Sequence, residues 1–277
     1  MNPLKEDFHT HTTFSDGKNT PEEMIQEALE RGMKALGFSD HSPILFDPDG
    51  GMKAGTEEDY IKKIGKLKEL YRNQIAIRCG LEQDMFSPKV SLNFDYIIGS
   101  CHYLKVGDHV PFAIDNTPEI FEENVDRYFS GDYLKAAECY YETVSDVVEV
   151  TDCDFIGHFD LITKYNEKYH LFDPENERYK NAWKKAADRL LKTKRPFEIN
   201  TGGIYRGWKT KTYPDPEILQ YLKQEGAQLF ILSSDAHCRE ALMFDFEDAL
   251  FNVEPGNFSE RVRTLDGRML YKPTFKE

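Results

Sequence analysis

Short runs rich in β-branched and aromatic residues alternate along this chain with longer stretches whose apolar residues recur at helical spacing. The runs predict strands over Asp7–His11, Ala35–Ser39, Ile75–Leu81, Tyr96–Ser100, Phe155–His158, Pro196–Asn200 and Leu229–Ser233. Between them, Thr20-Pro21-Glu22-Glu23 combines an N-cap, a proline at the first helical position and a capping-box glutamate, predicting a helix to about Arg31. Thr56 is the expected cap of a second helix, running to about Asn73. The stretch Thr117–Val150 reads as two helices broken around Gly131, and further helices are expected over Asn176–Thr193 and Pro216–Glu225. From Arg239 the pattern predicts a helix and an irregular tail, with one more strand near Met269–Lys272.

Strand and helix in strict alternation imply parallel strands joined by right-handed crossovers. No Pro/Gly/Ser-rich linker and no repeat divides the 277 residues, so residues 1–277 are expected to form one α/β domain. A closed or nearly closed barrel is the economical arrangement, and a doubly wound open sheet is the alternative.

The histidines and carboxylates sharpen this picture. His9 and His11, Asp40 and His41, Glu82, His102, His158, and Asp235 with His237 each stand at or just after the end of a predicted strand. In a parallel barrel all those ends share one face, where active sites are built. His9-x-His11 and Asp235-x-His237 each place both side chains on one side of an extended segment. A lone histidine at a strand end is more often a satisfied polar residue than a ligand. Six of the eight at successive strand ends instead predict a metal site, with imidazole and carboxylate donors suited to Zn, Mn or Fe. His109 and His170 fall in loop or helix-flank positions and carry no such expectation.

These residues sit in motifs that resemble the PHP (polymerase and histidinol phosphatase) family. His9-Thr10-His11-Thr12 with Phe14-Ser15-Asp16-Gly17 resembles its opening motif, and Ser39-Asp40-His41-Ser42-Pro43 its second. Gly80-Leu81-Glu82, Gly99-Ser100-Cys101-His102, Gly157-His158 and Ser233-Ser234-Asp235-Ala236-His237 resemble the later motifs, in order, across nearly the whole chain. The resemblance implies a distorted (β/α)7 TIM-like barrel with two to three divalent ions at the C-terminal strand ends. It assigns His9, His11, Glu82 and Asp235 to one ion, Glu82, His102 and His158 to a second, and Asp16, His41 and His237 to a third. Asp16 rests on the resemblance alone, since Ser-Asp-Gly is also an ordinary turn.

The stretches Phe155–Tyr165 and Glu198–Gly207 further resemble histidinol phosphatases of the family. That implies hydrolysis of L-histidinol phosphate, a late step of histidine biosynthesis. Another PHP phosphoesterase acting on nucleotides, oligonucleotides or phosphotyrosine is the alternative, and an amidohydrolase-type barrel or a non-catalytic metal site comes after it. Arg206 is the first candidate for the phosphate, through two parallel hydrogen bonds. Lys164 is a second candidate and Asn200 a third, though Asn200 also reads as a strand-end support. Asp160 is a candidate for orienting a metal ligand, for contacting a cationic substrate group or for proton transfer, and His237 or a metal-bound water shares the last role. Asp115, in a loop, is a weaker candidate for a substrate ammonium. Lys209 and Lys211 look solvated, Trp183 looks like core, and Trp208 is a candidate for lining the mouth. A water made acidic by the cations would attack phosphorus in line. No P-loop and no Gly-x-Ser-x-Gly appears, which argues against nucleotide-triphosphate and serine-hydrolase chemistry.

Charge and cysteine content narrow the partners. Asp and Glu total 49 against 35 Lys and Arg, a net charge of -14 without basic stripes, which disfavours nucleic acid. The expected partner is a small phosphate ester. Five irregularly spaced cysteines without C-x-x-C suit a reducing compartment. A polar start and no long apolar run make a cytoplasmic protein without a membrane partner the expectation, with the oligomeric state open.

Overall fold

In the computed structural model, which describes residues 3–89 and 91–251, the expected alternation is present. In chain order the main elements begin with β1 (Glu6–Asp7), α1 (Pro21–Glu30), β2 (Ala35–Phe38), α2 (Glu57–Leu70), β3 (Ala76–Asp84) and β4 (Tyr96–Ser100). A hairpin, β5 (Tyr103–Leu104) and β6 (Phe112–Ala113), precedes α3 (Pro118–Phe129), α4 (Tyr133–Val144) and α5 (Val147–Thr151). Then follow β7 (Phe155–Ile156), α6 (Asn166–Tyr169), α7 (Glu177–Leu191), β8 (Phe197–Asn200), α8 (Gly202–Tyr205), α9 (Pro216–Gln224), β9 (Phe230–Ser233) and α10 (Phe246–Phe251). The strand expected near Met269–Lys272 lies outside the described residues.

Local chemistry explains most helix ends. Thr20 accepts from the Glu23 amide while the Glu23 carboxylate accepts from the Thr20 amide, so the capping box forms as expected. Thr56 does not cap: its hydroxyl donates to the Lys53 carbonyl at 2.7 Å, and α2 starts without a side-chain cap. The Thr117–Val150 stretch holds three helices rather than two, with a second break at Ser145 and Asp146. β3 runs past Leu81 to Asp84, and the β5–β6 hairpin was not expected at all.

Seven strands form one parallel sheet in the order β1-β2-β3-β4-β7-β8-β9. The register is continuous where strands are long, from Gly80 opposite Tyr96 to Asp84 opposite Ser100. The ring closes beyond the strands: the His11 amide donates to the Ala236 carbonyl at 2.8 Å and the Ala236 amide to the His9 carbonyl at 3.2 Å. β1 and β9 therefore meet through the segments that carry His9, His11 and Asp235. This is a nearly closed, distorted TIM-like barrel, and the open doubly wound sheet is set aside.

Phe8, Ala35, Tyr96, Ile98, Phe155 and Ile231 form one apolar group. They come from opposite arcs of the ring, so they can meet only in its interior. Tyr96 reaches across it. Its ring lies where a Cβ on Gly37 or Gly80 would stand, and its hydroxyl donates to the Phe8 carbonyl at 2.6 Å. A larger group outside the ring joins α3, α4, α7 and α9 and includes Trp183, which is buried as expected.

Candidate metal centre

Glu82, buried at the end of β3, is the hub of the strand-end face. Its Oε2 lies 2.8 Å from His41 Nδ1, 3.2 Å from His9 Nε2 and 3.5 Å from His11 Nε2. Its Oε1 lies 2.8 Å from His158 Nε2 and 3.3 Å from His102 Nε2, and accepts from Ser100 Oγ at 2.6 Å. Asp235 Oδ1 stands 3.2 Å from His11 Nε2, and Asp16 Oδ2 3.0 Å from His237 Nε2. All nine residues carried over from the motifs therefore share one site. Donor atoms close enough for a common ion fall into four overlapping groups. These are His11–Asp16–His41–His237, His9–His11–Asp235, His9–Glu82–His158 and His41–Glu82–His102.

A cation fits this arrangement on the structure's own evidence. His9 Nε2, both ring nitrogens of His11, and Glu82 Oε2 are buried among one another without a well-aligned hydrogen bond. Orphaned donor atoms at this density are costly unless they face a ligand such as a metal ion. Burial, followed by neighbouring His237 and His41, pushes the His11 imidazole down to about 3, which leaves it neutral and able to coordinate at physiological pH. Burial alone would raise the Glu82 carboxyl. The imidazoles of His41, His9 and His102 hold it well below the usual carboxylate range instead. The donor set accommodates divalent metal ions.

Buried carboxylates, Asp40 of the second motif among them, brace the imidazoles and the segments around them. Glu198, on β8, accepts from His9 Nδ1 at 2.5 Å and from the His158 amide at 2.7 Å, with Ser233 Oγ on the same oxygen as His9. A carboxylate can only accept, so the proton sits on His9 Nδ1 and the Nε2 lone pair faces the cluster. Asp84 does the same for His102, at 3.2 Å from Nδ1 and 2.8 Å from its amide. Asp7 accepts from the amides of Ser234 and Met243, and burial pushes its carboxyl up to about 6. Asp40 takes the Thr12 amide at 2.7 Å and the Ser15 hydroxyl at 2.7 Å, shaping the loop that carries Asp16. The signal that could have found Glu198 was a carboxylate between the apolar residues Phe197 and Ile199 of a predicted strand.

A cavity of about 290 Å³ opens on the cluster, lined in part by Asp16, His41, Lys164, Arg206, Asp235 and His237. Arg206 reaches the mouth as expected. Its Nη2 donates to Asp235 Oδ2 at 2.8 Å and its Nη1 to the Asp235 carbonyl at 3.1 Å. Lys164 also faces the cavity, donating to the Asp115 carbonyl at 2.6 Å.

Four expectations need correction. Asn200 is fully buried behind Asp235, donating to Glu198 and Asp235 and accepting from the Gly202 amide, so it touches no cavity. Asp160 is buried away from the cluster. It accepts from the Asp215 amide and lies 3.9 Å from Lys209 Nζ, so it faces neither the metal donors nor the cavity. Lys209 is not solvated: it is 5% exposed, and its ammonium donates to Thr163 Oγ1 at 2.7 Å beneath the Tyr213 ring. Trp208 packs edge-on against Tyr165 with Lys168 over its face and does not line the mouth. Asp115, the weaker candidate in a loop, does line the cavity. His109 and His170 stay outside the cluster, as expected.

The model of the PHP domain matches residues 7–202. The chain belongs to the PHP domain family. A relative from Deinococcus radiodurans named "Probable histidinol-phosphatase" is 32% identical over 258 residues, covering 89% of this chain and 92% of its own length. Among solved structures, hisK from Listeria monocytogenes superposes with a TM-score of 0.77 at 21% identity, over 88% of this chain and 99% of its own. A histidinol phosphate phosphatase from Lactococcus lactis, complexed with Zn, L-histidinol and phosphate, gives 0.72 at 20% identity, over 94% and 95%. At those identities the two structures are evidence for the PHP fold.

Proposed function

We propose that this chain is a metal-dependent phosphatase that hydrolyses L-histidinol phosphate to L-histidinol and phosphate, the late step of histidine biosynthesis. The observation that carries the reading is the convergence of nine candidate ligands in one cluster, six of them lining a cavity that also presents Arg206 and Lys164. The names of the relatives select the substrate within the PHP family. We take residues 1–277 as one catalytic unit.

His9, His11, Asp16, His41, Glu82, His102, His158, Asp235 and His237 would hold two to three ions, of Zn, Mn or Fe, with Glu82 shared between groups. Bound there, the ions would lower the pKa of water and offset charge on the phosphoryl oxygens. The protein's own groups do the rest. Glu198 and Asp84 fix which ring nitrogen of His9 and His102 carries a proton. Arg206, already oriented by Asp235, presents its guanidinium edge to the phosphate. Lys164 brings an ammonium to the same cavity, where it adds positive charge and a proton source near the leaving oxygen. The buried walls exclude bulk water and so strengthen each of these contacts.

The test is phosphate release from L-histidinol phosphate, beside AMP and an aryl phosphate, in chelator-stripped and metal-restored protein. Metal-dependent preference for histidinol phosphate is the expected outcome. Equal or better turnover of AMP rejects the substrate assignment while leaving the phosphatase chemistry.

A further inference from the structure

Within the cavity one residue is out of keeping with a site that receives only a phosphate dianion. The lining holds four carboxylates. Asp16 and Asp235 belong to the groups of candidate metal donors, and Asp47 accepts from the Tyr103 hydroxyl at 2.9 Å. Asp115 is in none of the metal groups, yet its side chain is 23% exposed into the same cavity.

The residue is placed, not incidental. The β5–β6 hairpin delivers it: the Ile114 amide donates to the His102 carbonyl at 2.9 Å, and Asp115 follows directly. Its own carbonyl is gripped by two donors, Lys164 Nζ at 2.6 Å and Tyr165 Oη at 2.8 Å. The backbone is thereby fixed and the carboxylate projects past it. Lys164 Nζ lies 3.7 Å from Oδ2, too far for a direct hydrogen bond. Burial would raise this carboxyl, but Lys164, His102, His158 and His41 hold it below its usual range, so it stays charged near neutral pH. A fixed anion at the rim repels a phosphate dianion. Its presence makes chemical sense when the substrate brings a positive charge of its own.

We infer that Asp115 is the specificity residue of this site, accepting a hydrogen bond from an ammonium group on the alcohol part of the ester. The preferred substrates are then phosphate monoesters of amino alcohols rather than phosphate monoesters at large. Arg206 and the metal donors engage the phosphoryl end while Asp115 fixes the other end, which sets the orientation of the scissile bond. The inference rests on the histidinol-phosphate reading and names the residue that selects within it.

The experiment compares kcat/KM for L-histidinol phosphate with that for its desamino analogue, 3-(imidazol-4-yl)propyl phosphate. Both are measured on the metal-loaded full chain and on Asp115→Asn. A charge-assisted hydrogen bond predicts a loss on the order of 10- to 100-fold for the amino substrate in the variant. The desamino ester should change less than about threefold, since it never made the contact. An equal loss on both esters overturns the inference and makes Asp115 a support for Lys164. No loss on either overturns it as well, and a selective loss in Asp47→Asn alone moves the role to Asp47. Should Asp115→Asn fail to fold, the wild-type ratio still decides, because parity between the two esters rejects an ammonium contact. Turnover of an aryl phosphate without turnover of histidinol phosphate is a different result: it rejects the functional reading itself.

Discussion

Glu198 makes the case that a metal centre is built as much from carboxylates that never touch an ion as from those that do. It holds His9 Nδ1, the His158 amide and Asn200 from one buried position. Replacing it by glutamine removes the charge that fixes the His9 tautomer. The expected outcome for Glu198→Gln is metal affinity weakened by roughly 10- to 100-fold, read by elemental analysis of the purified protein against a competing chelator. Arg206 supports a second residue-level prediction. Arg206→Lys keeps the charge but loses the planar fork, so KM for the phosphate ester should rise about tenfold or more in steady-state assays. The contrast between these two residues explains what the amino-acid sequence made legible. Arg206 was expected at the cavity because it follows the end of a strand, and it does line it. Glu198, Asp84 and Asp7 were missed because a carboxylate ordinarily reads as solvent-facing, and only the fold reveals what it is buried against. Lys209 misled for the same reason, since its burial depends on Thr163, Asp160 and Tyr213, all distant in sequence or unremarkable alone.

Among the secondary-structure elements, those specified by neighbouring residues were readable and those specified by distant ones were not. α1 follows its Thr20–Glu23 capping box, and β4 runs over Tyr96–Ser100 as its apolar pattern demands. The β5–β6 hairpin has only two residues in each strand, too few to show a period, although it delivers both Tyr103 and Asp115 to the cavity. β3 was cut short at Leu81 because Glu82, Gln83 and Asp84 look like a polar loop, yet they are buried strand. The ring interior also depends on one glycine in β2 and one in β3. Gly80 and Gly37 make room for Tyr96, so Gly80→Ala should overpack the ring interior. A destabilisation of about 1–3 kcal/mol is expected, seen as a lower urea midpoint with an unchanged slope.

For the whole molecule, the excess of acidic groups and the gathering of nine candidate ligands tie stability to cations. Ions that bind only the folded chain stabilise it by mass action, by about 4 kcal/mol when free metal is a thousandfold above its Kd. Chelation should therefore lower the melting temperature and abolish turnover together, and titrating metal back should restore both, as followed by calorimetry and phosphate release. The closure of the barrel adds a consequence for how the chain is made. His9 and Asp235 are brought together by the contacts that join the two ends of the ring, through Ala236. During synthesis the amino-terminal donors leave the ribosome long before Asp235 and His237 exist. A nascent chain must wait with a half-built site, its cation-binding groups unshielded, until β9 and the segment after it emerge and complete both the ring and the site.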